Sequence, residues 1–121
     1  MKRNRFLQSF CALAAFGVLS GAFGAHALKA RVSEADLEIW KTATFYLLVH
    51  CLSGMMALGF PVRQRAATLF GLGAVIFSFS LYALVLSGFK ILGAITPLGG
   101  VCMILGWIFL AWDLGHSKAQ L

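Results

Sequence analysis

Residues 66–89 read AATLFGLGAVIFSFSLYALVLSGF, a run of 24 residues without a charged side chain. At a rise of ~1.5 Å per residue, a helix of this length crosses the ~30 Å hydrocarbon core of a bilayer. Three further uncharged runs occupy residues 6–28, 42–60 and 91–112. None shows the alternation of period two that is typical of barrel strands. The sequence therefore predicts an all-α integral membrane protein, with spans at about residues 6–28, 39–60, 66–88 and 91–112.

The composition agrees with this fold class and excludes a disordered chain. Of 121 residues, 60% are hydrophobic and 12% are charged, and the mean hydropathy is +0.88, whereas soluble domains are ~45–50% apolar and ~25% charged. The length predicts a single transmembrane domain over residues 1–121. The net charge of +6 comes from basic residues at the ends of the apolar runs, where lipid headgroups lie. We therefore expect membrane lipids, and no nucleic acid, as partners.

Short connections between the runs predict how the helices pack. Residues 29–41 and 61–65 join the first three spans, and Lys90 beside Gly88 marks a tight turn before the fourth. Helices joined by short loops are antiparallel neighbours, so we expect an up-down four-helix bundle. Ser33 followed by Asp36 resembles a capping box, which predicts that the second helix begins near Ser33.

The distribution of Lys and Arg predicts the orientation in the membrane. With a cytoplasmic N-terminus, the inner side holds six basic residues, Lys2, Arg3, Arg5, Arg63, Arg65 and Lys118, and the outer side holds four, Lys29, Arg31, Lys41 and Lys90. Because cytoplasmic loops are enriched in Lys and Arg, we predict that both termini face the cytoplasm and that the chain lies in the inner membrane. Trp40 and Trp112 are then expected at opposite interfaces, as aromatic belts would place them.

The N-terminal region has an alternative interpretation as a signal peptide. Basic residues precede an apolar stretch, and Ala25-His26-Ala27 resembles an A-x-A cleavage site. The apolar run of 23 residues at 6–28 exceeds the ~7–15 residues of a typical signal-peptide core. A retained transmembrane helix is the prediction.

Polar residues spread over the four predicted helices form the candidate site. In the second helix, spacings of four, four and three place a polar stripe on one face, and polar groups inside a membrane turn towards partners or a water-filled cavity. We expect these residues to converge into one buried hydrogen-bond network. Its predicted members are His26, Thr42, Tyr46, His50, Ser53, Ser78, Tyr82 and Thr96.

His50 has several possible roles: a structural hydrogen-bond hub, a functional pocket that includes a proton relay, and a metal or haem ligand. Haem requires two axial ligands at matching depth, and His26 and His50 differ in depth by ~14 Å at helical rise. A metal site needs three or four ligands, and no third is evident. We expect no cofactor and no metal, and the structural hub is favoured over the functional pocket.

Small residues at helical spacing predict close contacts between helices. Gly17, Gly21 and Ala25 are four apart in the first helix, with Ser20 and Gly24 beside them. This face serves either packing inside the bundle or a homo-oligomer. The predicted packing set comprises Gly17, Gly21, Gly24, Ala25, Gly99, Gly100 and Gly106.

The spans contain no Asp or Glu, and the sequence has no nucleophile–histidine set, P-loop or H-E-x-x-H motif. We therefore expect no enzymatic activity. The leading hypothesis is a structural, membrane-stabilising or accessory-subunit role, within a homo-oligomer or a membrane protein complex. The alternative is a small oligomeric transporter or channel whose path is lined by the polar face around His50. A weaker hypothesis is a redox accessory protein that holds haem or quinone.

Four motifs occur in order along the predicted helices: GAFGAH at residues 21–26, Trp40-x-Thr42-Ala43-x-x-Tyr46-x-x-x-His50, FSFSLY at residues 77–82, and ITPLGG at residues 95–100 followed by Gly106-Trp107. Together they resemble the transmembrane protein 256-like family of small multi-pass membrane proteins, over roughly residues 17–112. The family usually has glycine where this chain has Phe79. The resemblance implies four helices in the cytoplasmic membrane and no settled reaction.

Overall fold

The computed structural model describes residues 2–117, which form four long α-helices joined by short connections. The helices are α1 (Lys2–His26), α2 (Glu34–Gly59), α3 (Arg65–Ser87) and α4 (Leu92–Gly115), and a short 3-10 helix, Leu28–Ala30, follows α1. Each long helix is apolar and long enough to cross a membrane, and no strand occurs in this part of the chain. The prediction of an all-α, four-helix membrane fold is confirmed.

The helix ends follow local capping signals and differ from the uncharged runs by a few residues. Glu34 begins α2 because the Ser33 Oγ accepts a hydrogen bond from the Asp36 N–H at 3.1 Å, as the capping pattern predicts. Gly88 ends α3 in the left-handed conformation, at φ 76°, and its N–H donates to the Leu84 carbonyl at 2.8 Å. At the other ends, α1 begins at Lys2 and α4 extends to Gly115, so charged residues lie in the terminal turns.

Each helix packs mainly against its neighbours in sequence, with α2 and α3 in the middle and α1 and α4 on the outside. In the most apolar 18-residue window of each helix, the buried share is 50% in α2 and 39% in α3, compared with 28% in α4 and 17% in α1. The outer helices therefore expose most of their apolar side chains. In a bilayer these side chains face lipid or a further protein.

The alternating helix directions give the molecule two ends of different charge. The arginine-rich end carries five basic side chains and one carboxylate, a net charge of +4, from Lys2, Arg3, Arg5, Arg63, Arg65 and Asp113. The opposite end carries four basic and three acidic side chains, a net charge of +1, from Lys29, Arg31, Lys41, Lys90, Glu34, Asp36 and Glu38. Lys118, which also enters the orientation prediction, lies outside the described residues.

Candidate functional site

Hydroxyl groups of α3 bind to both of its neighbours inside the bundle. The Tyr82 OH and Thr44 Oγ1 lie 2.7 Å apart, and Thr44 donates its own proton to the Trp40 carbonyl, so Tyr82 is the donor of the pair. The Ser78 Oγ donates to the Ala43 carbonyl at 2.7 Å. These two bonds join α3 to α2. A hydrogen bond between helices replaces an unsatisfied polar group in hydrocarbon, and such bonds stabilise the assembly by ~0.6 kcal/mol on average.

A second hydroxyl pair joins α3 to α4. The Ser80 Oγ and Thr96 Oγ1 lie 2.7 Å apart, and both residues are buried. Both hydroxyls also reach carbonyls of their own helices, Ser80 towards Phe77 at 2.9 Å and Thr96 towards Leu92 at 3.2 Å. Because each hydroxyl has a single proton, one of the two donates across the interface while the other donates to its own backbone.

His50 is buried and engaged through both ring nitrogens. Its Nε2 accepts a hydrogen bond from the Trp107 indole N–H at 3.2 Å, and its Nδ1 lies 2.9 Å from the Tyr46 carbonyl. Since an indole is only a donor and a carbonyl only an acceptor, these contacts require the neutral tautomer that carries its proton on Nδ1. The lone pair that would bind a metal or accept a transported proton is occupied by Trp107.

The indole of Trp40 connects α2 to α1. Its Nε1–H donates to the Ser20 carbonyl at 2.7 Å, and the ring is buried against Tyr82 at 4.4 Å between centroids. Trp40 therefore turns its indole into the bundle, and its place near the membrane interface stays a prediction. Trp112, which is 60% exposed near the end of α4, has the position expected of a belt residue.

Three members of the predicted network lie outside the buried interior, so the expectation of a single buried network is corrected. His26 and Thr42 are exposed, and the Thr42 hydroxyl donates to the Glu38 carbonyl of its own helix at 2.9 Å. Tyr46 is 38% exposed, with its ring against Phe77. His26 is the last residue of α1. For Thr42 and Tyr46 the physical reason is the rotation of α2, whose buried face follows Trp40, Ala43, Thr44, Leu47, His50, Cys51, Ser53 and Gly54.

The remaining five, His50, Ser53, Ser78, Tyr82 and Thr96, are buried, but they form separate contacts and not one network. Ser53 donates only within its helix, to the Val49 carbonyl at 2.8 Å. Four of their partners are not among the predicted members: Trp40, Thr44, Ser80 and Trp107. A usable signal existed for Trp107, because an indole N–H inside an apolar run needs an acceptor. No described group of three His, Cys, Asp or Glu side chains is placed to hold a metal ion.

Several of the predicted packing glycines lie where helices touch. A Cβ at Gly99 would meet backbone atoms of Phe77 and, at 2.8 Å, the Gly73 carbonyl oxygen. A Cβ at Gly106 would lie 2.8 Å from the Phe70 ring, at Gly17 it would lie 2.7 Å from Leu48, and at Gly24 it would lie 2.6 Å from the Trp40 ring. At Gly99, Gly106 and Gly24 a neighbouring backbone or a buried aromatic ring excludes a larger side chain. At Gly17 the contact is with the end of the Leu48 side chain, which can shift.

The other predicted packing positions are looser. A Cβ at Gly21 would be 3.5 Å from Thr44 Cγ2, a Cβ at Gly100 would be 4.0 Å from Phe77 Cδ2, and Ala25 is exposed. The prediction of close helix contacts is therefore corrected at these positions: Gly21 and Gly100 make ordinary van der Waals contacts, and Ala25 is exposed. Two close contacts lie outside the predicted packing set: Gly54, which lies under the Phe10 ring, and Gly73, which faces Gly99.

A cleft of about 450 Å³ opens at the arginine-rich end. Its main feature is a bidentate ion pair, in which the Arg65 Nε and Nη2 donate to the two Asp113 carboxylate oxygens at 3.0 and 2.6 Å. The Arg65 guanidinium also lies 4.3 Å above the Phe109 ring, a cation–π arrangement. This pair is not among the predicted site residues, although the antiparallel order of α3 and α4 brings the start of α3 beside the end of α4.

Replacing Trp40 by phenylalanine should loosen α1. The change keeps an aromatic ring but removes the hydrogen bond to the Ser20 carbonyl, and we expect a loss of ~0.6–1.7 kcal/mol in the free energy of unfolding. Unfolding by sodium dodecyl sulfate, followed by circular dichroism, would measure it. Trp112→Phe is the control, because Trp112 is largely exposed. Equal midpoints for Trp40→Phe and the unchanged chain would contradict the role of this bond.

The chain is similar to known proteins over most of its length. A family model described as "Protein of unknown function (DUF423)" matches residues 20–100. UPF0382 membrane protein SERP0230 of Staphylococcus epidermidis is 43% identical over 116 residues, which cover 91% of this chain and 93% of that protein. UPF0382 membrane protein YwdK of Bacillus subtilis is 39% identical over 118 residues, with 91% and 94% covered. No solved structure matches.

Proposed function

The chain belongs to the DUF423 family of membrane proteins, and we propose that it is a structural or accessory protein of the cytoplasmic membrane. It acts through contacts with lipids and with other membrane proteins, and it catalyses no reaction. We also propose that the chain is related to the transmembrane protein 256-like proteins. The proposed role and this relationship are both consistent with relatives that are named as membrane proteins.

The observation that carries this proposal is the way in which the interior polar groups are used. Among the described residues, every buried side-chain nitrogen or oxygen has a hydrogen-bond partner within the protein. Tyr82, Ser78 and His50 bind to neighbouring helices. Such bonds hold helices together in lipid and supply a stable core, while the exposed sides of α1 and α4 remain for contacts with the membrane.

Gentle extraction of the tagged protein from its own membrane, followed by native mass spectrometry, tests the proposal. We expect the chain, or several copies of it, with bound lipid or with another membrane protein, and we expect its deletion to alter membrane integrity or the amount of that partner complex. A deletion strain with wild-type membrane permeability and wild-type membrane complexes would contradict the proposal.

A transporter is the second candidate, and the exposure of one polar face favours it. Thr42 and Tyr46 lie on the exposed side of α2, so a path would run between protomers and not through one bundle. Substrate flux into proteoliposomes that is lost in Tyr46→Phe and Thr42→Val, but kept in Thr68→Val, would support it. Thr68 is an exposed threonine of α3 that donates only to its own helix, which makes it a matched control.

We further propose that both termini face the cytoplasm. Among the described residues, the arginine-rich end carries five basic side chains against four at the opposite end, and basic residues favour the cytoplasmic side. A membrane-impermeant maleimide should label the Ser33→Cys variant in intact cells and should label Gln64→Cys only after lysis, because the two positions lie in connections at opposite ends. The reverse pattern would invert the orientation, and the unchanged chain gives the background from native cysteines.

A further inference from the structure

We propose that the cleft at the arginine-rich end binds the phosphodiester headgroup of an anionic phospholipid. The cleft lies between the α2–α3 connection and the end of α4, and its charged lining groups are Arg63, Arg65 and Asp113. The two guanidinium groups and the one carboxylate together give a net charge of +1. A lipid phosphodiester carries one negative charge, so the charges of the site and the ligand match.

Arg65 is positioned to bind a phosphate while it keeps its ion pair with the Asp113 carboxylate. Asp113 is only 8% exposed and accepts two of the five N–H donors of Arg65, whose side chain is 35% exposed. The remaining three N–H groups are not engaged by any described residue in the hydrogen bonds that the structure shows. A guanidinium held in this way presents donors in a fixed plane, which suits the oxygens of a phosphate.

Arg63 supplies the second positive charge and lies in the α2–α3 connection, where it is exposed. It is close enough to interact electrostatically with Asp113, so the two arginines are near the same carboxylate. Helix α3 also begins at Arg65, and the N-terminal turn of a helix adds a partial positive charge to this side of the cleft. Each contribution favours an anion over a neutral ligand.

The position of Trp112 favours a lipid over a free phosphate ion. Trp112 also lines the cleft, is 60% exposed, and stacks on His116 with 4.2 Å between ring centroids. Tryptophan is enriched at the depth of lipid headgroups, and the cleft lies where the apolar spans end. A phospholipid at this depth places its phosphate among the arginines and its acyl chains beside the apolar helices.

Lipid binding to the full chain in detergent micelles, measured by native mass spectrometry, tests the site. The lipids are phosphatidylglycerol and, for comparison, zwitterionic phosphatidylcholine. We expect Arg63→Gln to weaken phosphatidylglycerol binding about fivefold, since a basic side chain near a membrane surface attracts anionic lipid by ~1 kcal/mol. This variant leaves the Arg65–Asp113 pair intact, so its folding is not at risk. The double variant Arg65→Gln/Asp113→Asn removes the pair together and should also bind less phosphatidylglycerol.

Arg31→Gln is the matched control, because it removes one positive charge from an exposed position at the opposite end. An equal loss of binding in Arg31→Gln, or equal binding of phosphatidylcholine, would overturn the site in favour of diffuse attraction. Displacement of the lipid by excess inorganic phosphate would overturn the assignment to a lipid. Unchanged binding in Arg63→Gln would contradict the proposal directly.

This inference rests on the proposed function, but the two can fail separately. If the protein binds phosphatidylglycerol selectively but its deletion leaves membranes and complexes unchanged, the lipid site is supported and the proposed function is contradicted. Loss of a partner complex on deletion, without lipid selectivity in the cleft, would keep the function and remove the site.

Discussion

Gly99→Ala is expected to separate α3 from α4, whereas Gly100→Ala next to it should have almost no effect. A methyl group at Gly99 would enter the backbone of Phe77 and would lie 2.8 Å from the Gly73 carbonyl oxygen. Backbone atoms cannot rotate away as a flexible side chain can, so the helices must move apart. Overpacking typically costs ~1–3 kcal/mol and occasionally more, and we expect a value at or above the upper end of this range.

Gly100 is a close control for this change. It neighbours Gly99 in the same helix, but a methyl group there would be 4.0 Å from the nearest atom, Phe77 Cδ2. Because alanine favours the helix over glycine, Gly100→Ala should be neutral or slightly stabilising. Unfolding by sodium dodecyl sulfate should show a much lower midpoint for Gly99→Ala alone. Matching midpoints for the two variants would show that α3 and α4 do not touch at Gly99.

Gly73 provides an independent check of the same contact. A methyl group there would lie 2.8 Å from the Gly99 carbonyl oxygen and 2.9 Å from the Met103 nitrogen. Gly73→Ala should therefore destabilise the protein to a similar extent. Because both substitutions force the same separation, the double variant should lose less than the sum of the two single losses. Simple additivity would contradict a shared contact.

Gly54→Ala is the second change with a large expected effect, because the ring of Phe10 lies directly over this glycine. A methyl group at Gly54 would lie 2.6 Å from Phe10 Cε2, and Phe10 is 1% exposed and stacked on Phe6 at 5.1 Å. The ring is held between Gly54 and Phe6, so a methyl group at Gly54 forces the ring, or α1 with it, to shift away from α2. We expect a destabilisation of ~1–3 kcal/mol from overpacking.

Removing the ring tests the same contact from the other side. Phe10→Ala costs ~3–5 kcal/mol in soluble cores, and we expect the lower part of that range here, because burial from lipid adds no transfer from water. The double variant Phe10→Ala/Gly54→Ala should be more stable than Phe10→Ala alone, since the added methyl group fills part of the cavity. Gly59→Ala is the control, with no atom within 4 Å of the added group. If the double variant loses as much free energy of unfolding as the two single variants together, Phe10 and Gly54 are not in contact.

The two glycine contacts hold the outer helices by different means. At Gly99 two backbones touch directly, which allows α4 to pack closely on α3. At Gly54 an aromatic ring of α1 occupies the space that a side chain would take, and α1 is otherwise the least buried helix. We therefore expect α1 to be released more easily than α4, which makes it the helix best placed to exchange intramolecular contacts for contacts with a partner.

The sequence by itself determined the number and type of the elements. Four long uncharged runs require helices because a backbone in lipid must satisfy its own polar groups, and the short connections require antiparallel neighbours. The Ser33 cap and the turn at Gly88 were also evident, because capping and left-handed turns depend on a few adjacent residues. All of these features are local, so the order of residues is sufficient to predict them.

Only the tertiary structure decided which face of each helix is buried. Lipid is as apolar as the protein interior, so hydrophobic residues surround every span and no apolar stripe marks the inner face. The rotation of α2 therefore left Thr42 exposed and Thr44 buried against Tyr82, although both are threonines two residues apart. The same rotation brought Trp107 to His50. The Arg65–Asp113 pair also depends on two helix ends that are 48 residues apart in sequence, which only packing in three dimensions brings together.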